Sequence, residues 1–472
     1  MRFNSLEFVV FLTVVFTAMW ALTPVPMVQT IFLIAASYFF YANLCPWFPA
    51  LLFFTSMVDY GLGGKIHRTP EPGRRKLWLI LSISSDLGLL AFFKYFNFFA
   101  VQTAAALNAL GLGVDPILLQ LAFPVGVSFF TFQSMSYTID IYRRRVEPAG
   151  SFLEYLAYLA FFPRLLVGPI VRAADFLPQL RVPRSLTRAQ GGLGLILIMT
   201  GLVKKVCVAD YLKVNLVDRV FDTPTWYSSA EVLVGVYAYA LQIYCDFSGY
   251  TDVAIGAGLL LGFQIPENFR APYAAINLRD FWRRWHITLS TWLRDYLYIP
   301  LGGSRQGPAR TYVALVITML LGGFWHGAAW TFVIWGALHG GALAATRLFQ
   351  RVRGERKGEP SWPLRVVLVV GTFHFVCLAW IFFRAKSFGS AWAVIARIAE
   401  LRPGLGRIAP SIAVVLIAAL ALHYFPRRWT DRAHGLFSRL PAPVQGLAMV
   451  AVGVLVYLVA QSDYVPYIYE AH

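Results

Sequence analysis

Long apolar runs separated by short basic segments dominate this chain of 472 residues. A helix of about 20 apolar residues spans the hydrocarbon core of a membrane, and counting such runs predicts a series of candidate spans. They are residues 8–24, 27–44, 47–63, 77–99, 116–139, 152–171, 193–213, 230–262, 311–345, 365–383, 411–425 and 443–460. The pattern predicts an all-α polytopic membrane protein with about ten to twelve transmembrane helices.

Two of these runs do not have the pattern of simple spans. The run at 152–171 contains Pro163 and Pro169, and the run at 230–262 carries Asp246 and Asp252. Irregular or polar segments at membrane depth are tolerated where protein or water satisfies their polar groups. We therefore expect a broken or re-entrant helix in the first run, and we expect both runs to line an interior cavity.

Composition narrows the class of protein further. Hydrophobic residues make up 58% of the chain and charged residues only 14%, well below the roughly 25% typical of soluble domains. The net charge of +17 comes from basic clusters between apolar runs, of which 65–76 and 347–357 are interpreted as cytoplasmic loops. No basic stripe with interleaved aromatic residues occurs, so we expect membrane lipids or a phosphate-bearing substrate as partners, and no nucleic acid.

Cysteine spacing and the first apolar run exclude two other features. The four cysteines are scattered without CxxC spacing, so neither a disulfide framework nor a zinc site is expected. The first run follows Glu7 and lacks a convincing cleavage site, so we interpret it as a retained helix.

Three spans before the basic cluster at 65–76 predict an N-terminus outside the cytoplasm.

His326 lies in the middle of an apolar stretch, next to Trp325 and between closely spaced glycines. Ionisable groups at membrane depth are usually functional, and glycines allow a ligand or another backbone to approach. A neutral imidazole in an apolar cavity suits a general base for a hydroxyl group. We therefore interpret His326 as catalytic, the alternative being a histidine that bonds a neighbouring carbonyl. His339 and His374 are interpreted as structural hydrogen-bond donors between helices.

The segment 280–300 is too charged to span a membrane and too aromatic for an ordinary loop. Its notable residues are Trp282, Trp285, Trp292, Arg283, Arg284, Arg294 and Asp295. As one helix it would bring Asp280 to Arg283 and Arg284, and His286 to Ser290. One interpretation is an interfacial amphipathic helix, and the other is a wall of a reaction cavity. His286 favours the second, because an interface gains nothing special from imidazole.

The segment 242–252 places Asp246, Ser248 and Asp252 in an otherwise apolar run. Such polarity at depth is costly unless it is paired. We expect Asp252 to pair with an arginine at position 283, 284 or 294. A proton pathway, as in a pump, is the alternative.

Two motifs around the histidines are distinctive: Phe-Trp-Arg-Arg-Trp-His at 281–286, followed by Trp-Leu-Arg-Asp-Tyr at 292–296, and Gly-Phe-Trp-His-Gly at 323–327. In these motifs the chain resembles the membrane-bound O-acyltransferase (MBOAT) family, closest to its bacterial branch that acetylates alginate and related cell-envelope polysaccharides. Shorter similarities are Phe-Lys-Tyr at 93–95, Pro-Val-Gly-Val-Ser-Phe at 124–129 and Asp-Phe-Ser-Gly-Tyr at 246–250. The resemblance extends from the first span to about residue 345.

The resemblance implies a fold and an active site. The fold would be one domain over residues 1–472, a ring of tilted helices around a thin core with a tunnel. Its core motifs would lie within 120–345, and C-terminal helices and a tail would occupy 365–472. His326 would be the essential membrane histidine, and His286 would occupy the second catalytic position. The residues expected to line or support the cavity are Trp325, Asp246, Ser248, Arg283, Arg284, Arg294 and Asp295.

The implied chemistry is transfer of an acyl group, most simply acetyl, at a bacterial inner membrane. The donor would be acetyl-CoA or another cytoplasmic acyl thioester, with no metal, and the acceptor an exopolysaccharide or other cell-envelope polymer. A periplasmic acetyltransferase and a polysaccharide-synthesis complex would be partners. Tyr469, in a C-terminal aromatic segment that ends Glu-Ala-His, would hold the acyl group transiently. The alternative for this segment is a tail with interfacial tyrosines.

Two other functions stay open from the sequence. A transporter or polysaccharide-export component would use the same polar residues at depth, especially Asp246 and Asp252. A lipid- or protein-modifying member of the same superfamily would share the two histidine motifs. The absence of serine-hydrolase, P-loop and HExxH motifs argues against hydrolase and kinase chemistry.

Overall fold

The computed structural model describes residues 1, 3–120, 122–354 and 358–460. Every regular element in these residues is helical, and they contain no β-strand, which confirms the all-α fold predicted from the apolar pattern.

The α-helices divide the chain into elements of very different length. They are α1 (Leu6–Ala21), α2 (Pro26–Ala42), α3 (Phe48–Arg68), α4 (Pro72–Leu90), α5 (Phe96–Ala109), α6 (Val127–Tyr142), α7 (Phe152–Ala160), α8 (Phe162–Leu165), α9 (Ala173–Leu180), α10 (Arg188–Leu202), α11 (Asp218–Asp222), α12 (Ser229–Leu260), α13 (Leu278–Trp282), α14 (Ile287–Leu293), α15 (Pro308–His326), α16 (Trp330–Arg353), α17 (Trp362–Arg384), α18 (Phe388–Ala399), α19 (Pro410–His423), α20 (Arg427–Arg439) and α21 (Ala442–Val459). Short π-helical segments occur at Ala91–Tyr95, Val203–Asp210, Lys213–Val217 and Arg294–Tyr298, and 3₁₀ turns at Pro224–Trp226 and Pro272–Ala274.

Six helical stretches among the described residues are long and apolar enough to cross a membrane. They are Pro72–Ala109, Arg188–Asp222, Pro308–His326, Trp330–Arg353, Trp362–Arg384 and Ala442–Val459. The bent pair α19–α20 would make a seventh, and α1, α2 and α18 are shorter apolar helices. The sequence count of about ten to twelve included short runs of this kind. The chain is a multi-pass membrane protein.

One compact unit comprises Met1–Gly194 and Ala254–Pro266. The run at 152–171 is broken here into α7 and α8, as predicted. Phe161 is non-helical, with φ −52° and ψ 104°, and Pro163 in the first turn of α8 has no N–H to continue the preceding helix.

The same unit contains two buried acids that the sequence analysis did not single out. Asp59 on α3 and Asp86 on α4 are 0% and 1% exposed. Ser82 and Ser134 donate to Asp59. Hydroxyl donors thus satisfy the carboxyl group of Asp59 inside the helices.

The second unit comprises Leu195–Val253 and Glu267–His472. The apolar run at 311–345, counted as one span in the sequence, forms two helices, α15 and α16, because Gly327 and Ala329 have an extended backbone between them. A Cβ on Gly336 of α16 would collide with the backbone carbonyl of Met319 on α15, and one on Gly323 with that of Phe332. Glycine therefore lets these two helices approach backbone to backbone.

Candidate active site

The segment 280–300 is two short helices, and the prediction of one continuous helix was wrong. α13 ends at Trp282, α14 begins at Ile287, and His286 between them has φ 41° and ψ 56° in the left-handed region. The neighbouring segment competes for the helical hydrogen bonds: Arg270 N donates to the Arg284 carbonyl at 2.9 Å, and Ile287 N donates to the Asn268 carbonyl at 2.9 Å. This break turns the imidazole of His286 into the protein interior.

The break changes one expected side-chain pair and retains another. Arg284 donates to Asp280 at 2.8 Å, as the i,i+4 spacing predicted. Ser290 Oγ donates to the carbonyl of Trp285 at 3.2 Å, and its backbone N–H to that of His286 at 2.9 Å. The expected side-chain contact of Ser290 with the His286 ring is therefore replaced by backbone contacts.

Asn268, which the sequence analysis missed, orients His286. Its Oδ1 accepts hydrogen bonds from Thr288 N at 3.1 Å and Thr288 Oγ1 at 2.9 Å, and it lies 3.2 Å from His286 Nδ1. Because a backbone N–H donates to it, this atom is the amide oxygen, which can only accept. His286 therefore carries its proton on Nδ1 and a lone pair on Nε2.

The surroundings of His286 keep it neutral. The residue is 0% exposed, and the ring of Phe247 packs on it at 4.7 Å with an interplanar angle of 84°. His286 lies outside the candidate spans, and burial lowers its pKa to about 3. A neutral imidazole with Nε2 unprotonated can accept a hydrogen bond from a hydroxyl group.

His326 is the last residue of α15 and is enclosed by aromatic rings. It is 3% exposed, and the rings of Trp325, Trp335 and Phe383 lie 4.9, 5.1 and 5.2 Å from it, centroid to centroid. The adjacent Gly327 lets the ring of Phe332 pack closely, since a Cβ at this position would collide with that ring. The enclosure leaves His326 only a small accessible surface.

A continuous series of ring contacts leads from His286 to His326 within the second unit. The successive rings are His286, Phe269, Trp285, Trp380, Trp335 and His326, with centroid separations of 6.4, 5.1, 5.1, 5.9 and 5.1 Å. The tertiary structure thus brings the two motif histidines into one buried aromatic cluster, although 40 residues separate them in the chain.

The two histidines interpreted as structural behave differently. His374 bonds Tyr237 OH at 2.7 Å and the Val370 carbonyl at 2.8 Å, which confirms its role as a hydrogen-bonding group. His339 is 0% exposed, and neither ring nitrogen has a hydrogen-bond partner among the residues described here. Aromatic rings surround it, including those of Trp335 and Trp282 at 4.8 and 5.3 Å. The expected helix-pairing hydrogen bond of His339 is therefore wrong.

The acids of α12 pair with lysines, and the expected pairing of Asp252 with an arginine was wrong. Lys204 Nζ lies 2.6 Å from Asp252, and Lys205 Nζ lies 2.7 Å from Asp246 and 2.8 Å from Asp210. Gly201 and Gly249 make the pairing close, since a Cβ on either would collide with the other's carbonyl oxygen. Two adjacent lysines inside the run at 193–213 were the sequence signal.

The remaining predicted support residues divide by exposure. Trp325 and Ser248 are 5% and 1% exposed, whereas Arg283 and Arg294 are exposed. Arg294 forms a two-pronged ion pair with Asp295, with distances of 2.7 and 3.1 Å. Exposed arginines agree better with the interfacial interpretation than with a cavity wall.

Two further expectations concern a relay tyrosine and metals. Tyr469 lies outside the described residues. Within the part of the chain that the structure describes, no group of three or more histidine, cysteine or acidic side chains is arranged to hold a metal ion.

Comparison with known families decides the family of this chain. Residues 143–385 match the model of the membrane-bound O-acyltransferase family, MBOAT, and this range includes both histidine motifs. The chain belongs to this family. It is therefore an O-acyltransferase of the MBOAT family, as the resemblance implied.

Several curated MBOAT relatives cover most of the chain. A "Peptidoglycan O-acetyltransferase" of Helicobacter pylori is 38% identical over 396 residues, covering 78% of this chain and 73% of the relative. A "Probable alginate O-acetylase AlgI" of Azotobacter vinelandii is 39% identical over 403 residues, covering 84% and 77%. A "Teichoic acid D-alanyltransferase" of Bacillus subtilis is 26% identical over 277 residues, covering 56% and 69%.

Proposed function

We propose that this MBOAT protein O-acetylates a polysaccharide of the bacterial cell envelope, using acetyl-CoA or another acyl thioester from the cytoplasm at the inner membrane. The names of its relatives refer to peptidoglycan, alginate and teichoic acid, which are all polymers of the envelope. Such polymers offer hydroxyl groups on one side of the membrane, and thioester donors are made on the other. A reaction inside the membrane moves the acyl group without moving the coenzyme.

The observation that carries the proposal is the shared aromatic cluster of His326 and His286. His326 would act as general base, taking the proton from the attacking hydroxyl group. The contact with Asn268 limits the role of His286, because a neutral ring protonated on Nδ1 accepts a hydrogen bond at Nε2. This favours His286 as the residue that orients a reactant over His286 as a donor to the oxyanion.

The phosphates of a coenzyme donor would remain in water beside basic loops such as 65–76. The transferred group would pass to the polymer directly or through Tyr469 and a periplasmic acetyltransferase partner, within a polysaccharide-synthesis complex. The buried acids of α12 fit an enzyme better than a transporter, because Asp246 and Asp252 are both held in ion pairs with lysine.

The test is the substitution His326→Ala in protein reconstituted with labelled acetyl-CoA and an acceptor polysaccharide. We expect the variant to fold and to lose ester formation by about 10³-fold or more, since it removes the base from the reaction. His374→Ala is the matched control, since His374 is exposed, and it should keep normal rates.

Near-normal ester content in His326→Ala would remove this residue from the mechanism. Uptake of intact donor into vesicles without ester formation would instead identify a transporter.

A further inference from the structure

The neighbourhood of His326 contains buried hydrogen-bond donors that lack acceptors. Trp335 is 1% exposed and His339 is 0% exposed. Among the described residues, Trp335 Nε1, Trp282 Nε1 and both ring nitrogens of His339 have no hydrogen-bond partner. Buried polar groups in native proteins almost always have a partner, so several such groups in one cluster require an explanation.

The chemistry of these groups defines the partner that is missing. An indole N–H can only donate, and a neutral imidazole always carries one N–H. A cluster with surplus donors is complemented by an acceptor. A carbonyl oxygen is an acceptor without a proton of its own, and it becomes a stronger acceptor when it turns into an oxyanion.

The donors are adjacent to the proposed base. Trp335 and His339 lie one turn apart on α16, and their ring centroids are 4.8 Å apart. The ring of Trp335 also contacts that of His326, with centroids 5.1 Å apart and planes at 87°. Because Gly336 has no Cβ, this part of α16 packs directly against the backbone of α15, which carries His326.

We propose that Trp335 and His339 bind the carbonyl oxygen of the acyl group and stabilise the oxyanion. This inference rests on the proposed acyl transfer. In the first step the hydroxyl oxygen bonds to the carbonyl carbon, its proton passes to His326, and the carbonyl π-electron pair moves onto the oxygen facing Trp335 and His339. In the second step that pair re-forms the carbonyl, the carbon–sulfur bond breaks, and the leaving thiolate takes the proton from His326.

Trp335 and His339 would give the oxyanion the hydrogen-bond donors that His286 cannot provide. Its proton is on Nδ1 and faces Asn268, so Nε2 has none to offer an oxyanion. Donors placed where negative charge develops lower the barrier without reorganising during the reaction. Trp335 and His339 meet this requirement, since packing fixes both rings in a buried aromatic setting.

The test uses Trp335→Phe and His339→Phe in the full chain. Both changes remove an N–H and keep a ring among aromatic neighbours. We expect each to lower kcat for acetyl transfer by about 10²- to 10³-fold, with the KM for acetyl-CoA changed less than about threefold. Matched controls are His374→Phe and Trp392→Phe, which lie on exposed positions and should keep wild-type kcat.

An infrared measurement separates hydrogen bonding from packing. Acetyl-CoA labelled with ¹³C at the carbonyl is bound to the inactive His326→Ala protein, where the carbonyl band should lie below its position in solution. Adding Trp335→Phe or His339→Phe should shift the band back toward the solution value. A merely structural role for either ring would leave the band unmoved.

The outcomes distinguish this inference from the proposed function. Loss of activity in His326→Ala together with wild-type kcat in Trp335→Phe and His339→Phe would overturn only the oxyanion assignment. An unshifted band in the Trp335 and His339 variants would do the same, and would mean that ordered water satisfies these donors. Full activity in His326→Ala would instead remove His326 as the base, and absence of ester formation by the wild-type protein would overturn the proposed function.

Discussion

Lys205 should be a major determinant of stability in the second unit. Its ammonium group lies 2.7 Å from Asp246 and 2.8 Å from Asp210, and the three side chains are 0%, 4% and 10% exposed. Lys205→Met keeps most of the aliphatic stem and removes the charge. Two buried carboxylates then lose their shared counterion and repel each other.

The expected loss in free energy of unfolding follows from the burial of the ion pairs of Lys205. Removing one partner of a buried ion pair typically costs about 3–5 kcal/mol, because the remaining buried charge loses the ion that compensated its desolvation. The matched control is Lys386→Met, which breaks a pair with Asp222 at 3.0 Å in which the side chains are 76% and 49% exposed. Exposed ion pairs contribute about 0–1 kcal/mol to stability. The loss in free energy of unfolding should therefore be several-fold larger for Lys205→Met than for Lys386→Met.

The assay is the free energy of unfolding in mixed micelles, measured by titrating a denaturing detergent and following helix content. Lys205→Met should unfold at a clearly lower fraction of denaturant than the control. Combining Lys205→Met with Asp246→Asn should recover part of the loss, because the amide carries no charge. If Lys205→Met lies within about 1 kcal/mol of wild type, the reasoning about buried charge is refuted.

Two further predictions concern helix packing and the orientation of His286. Gly336→Ala should separate α15 from α16 and reduce both stability and acetyl transfer, whereas Gly341→Ala, whose Cβ would meet open space, should be neutral in the same thermal-unfolding and rate measurements. Asn268→Ala should lower kcat/KM by about 10- to 100-fold, which is the size of effect found for residues that orient metal-bound histidines. Asn268→Asp keeps the accepting oxygen and should restore part of the rate; equal rates for both variants would contradict the orienting role.

The sequence by itself determined the class of fold, the family and the two motif histidines. Apolar run length reports membrane crossing directly, because every crossing helix must satisfy the same hydrocarbon thickness. The motifs around His286 and His326 are local strings, so their identity needs no knowledge of long-range contacts. The helix break near Pro163 could also be predicted from the local sequence, because proline has no N–H to donate to the preceding turn.

Only the tertiary structure decided which polar groups meet. Lys205 is adjacent in space to Asp246 although 41 positions separate them, and no helical spacing rule reaches that far. Asn268 orients His286 through an extended segment whose backbone bonds replaced the helix expected at 280–300. The donors of Trp335 and His339 became informative only once packing showed that no acceptor in the described residues reaches them. Side-chain pairing in a helical membrane protein depends on which helix faces are opposed, and apolar faces of similar composition do not encode that choice locally.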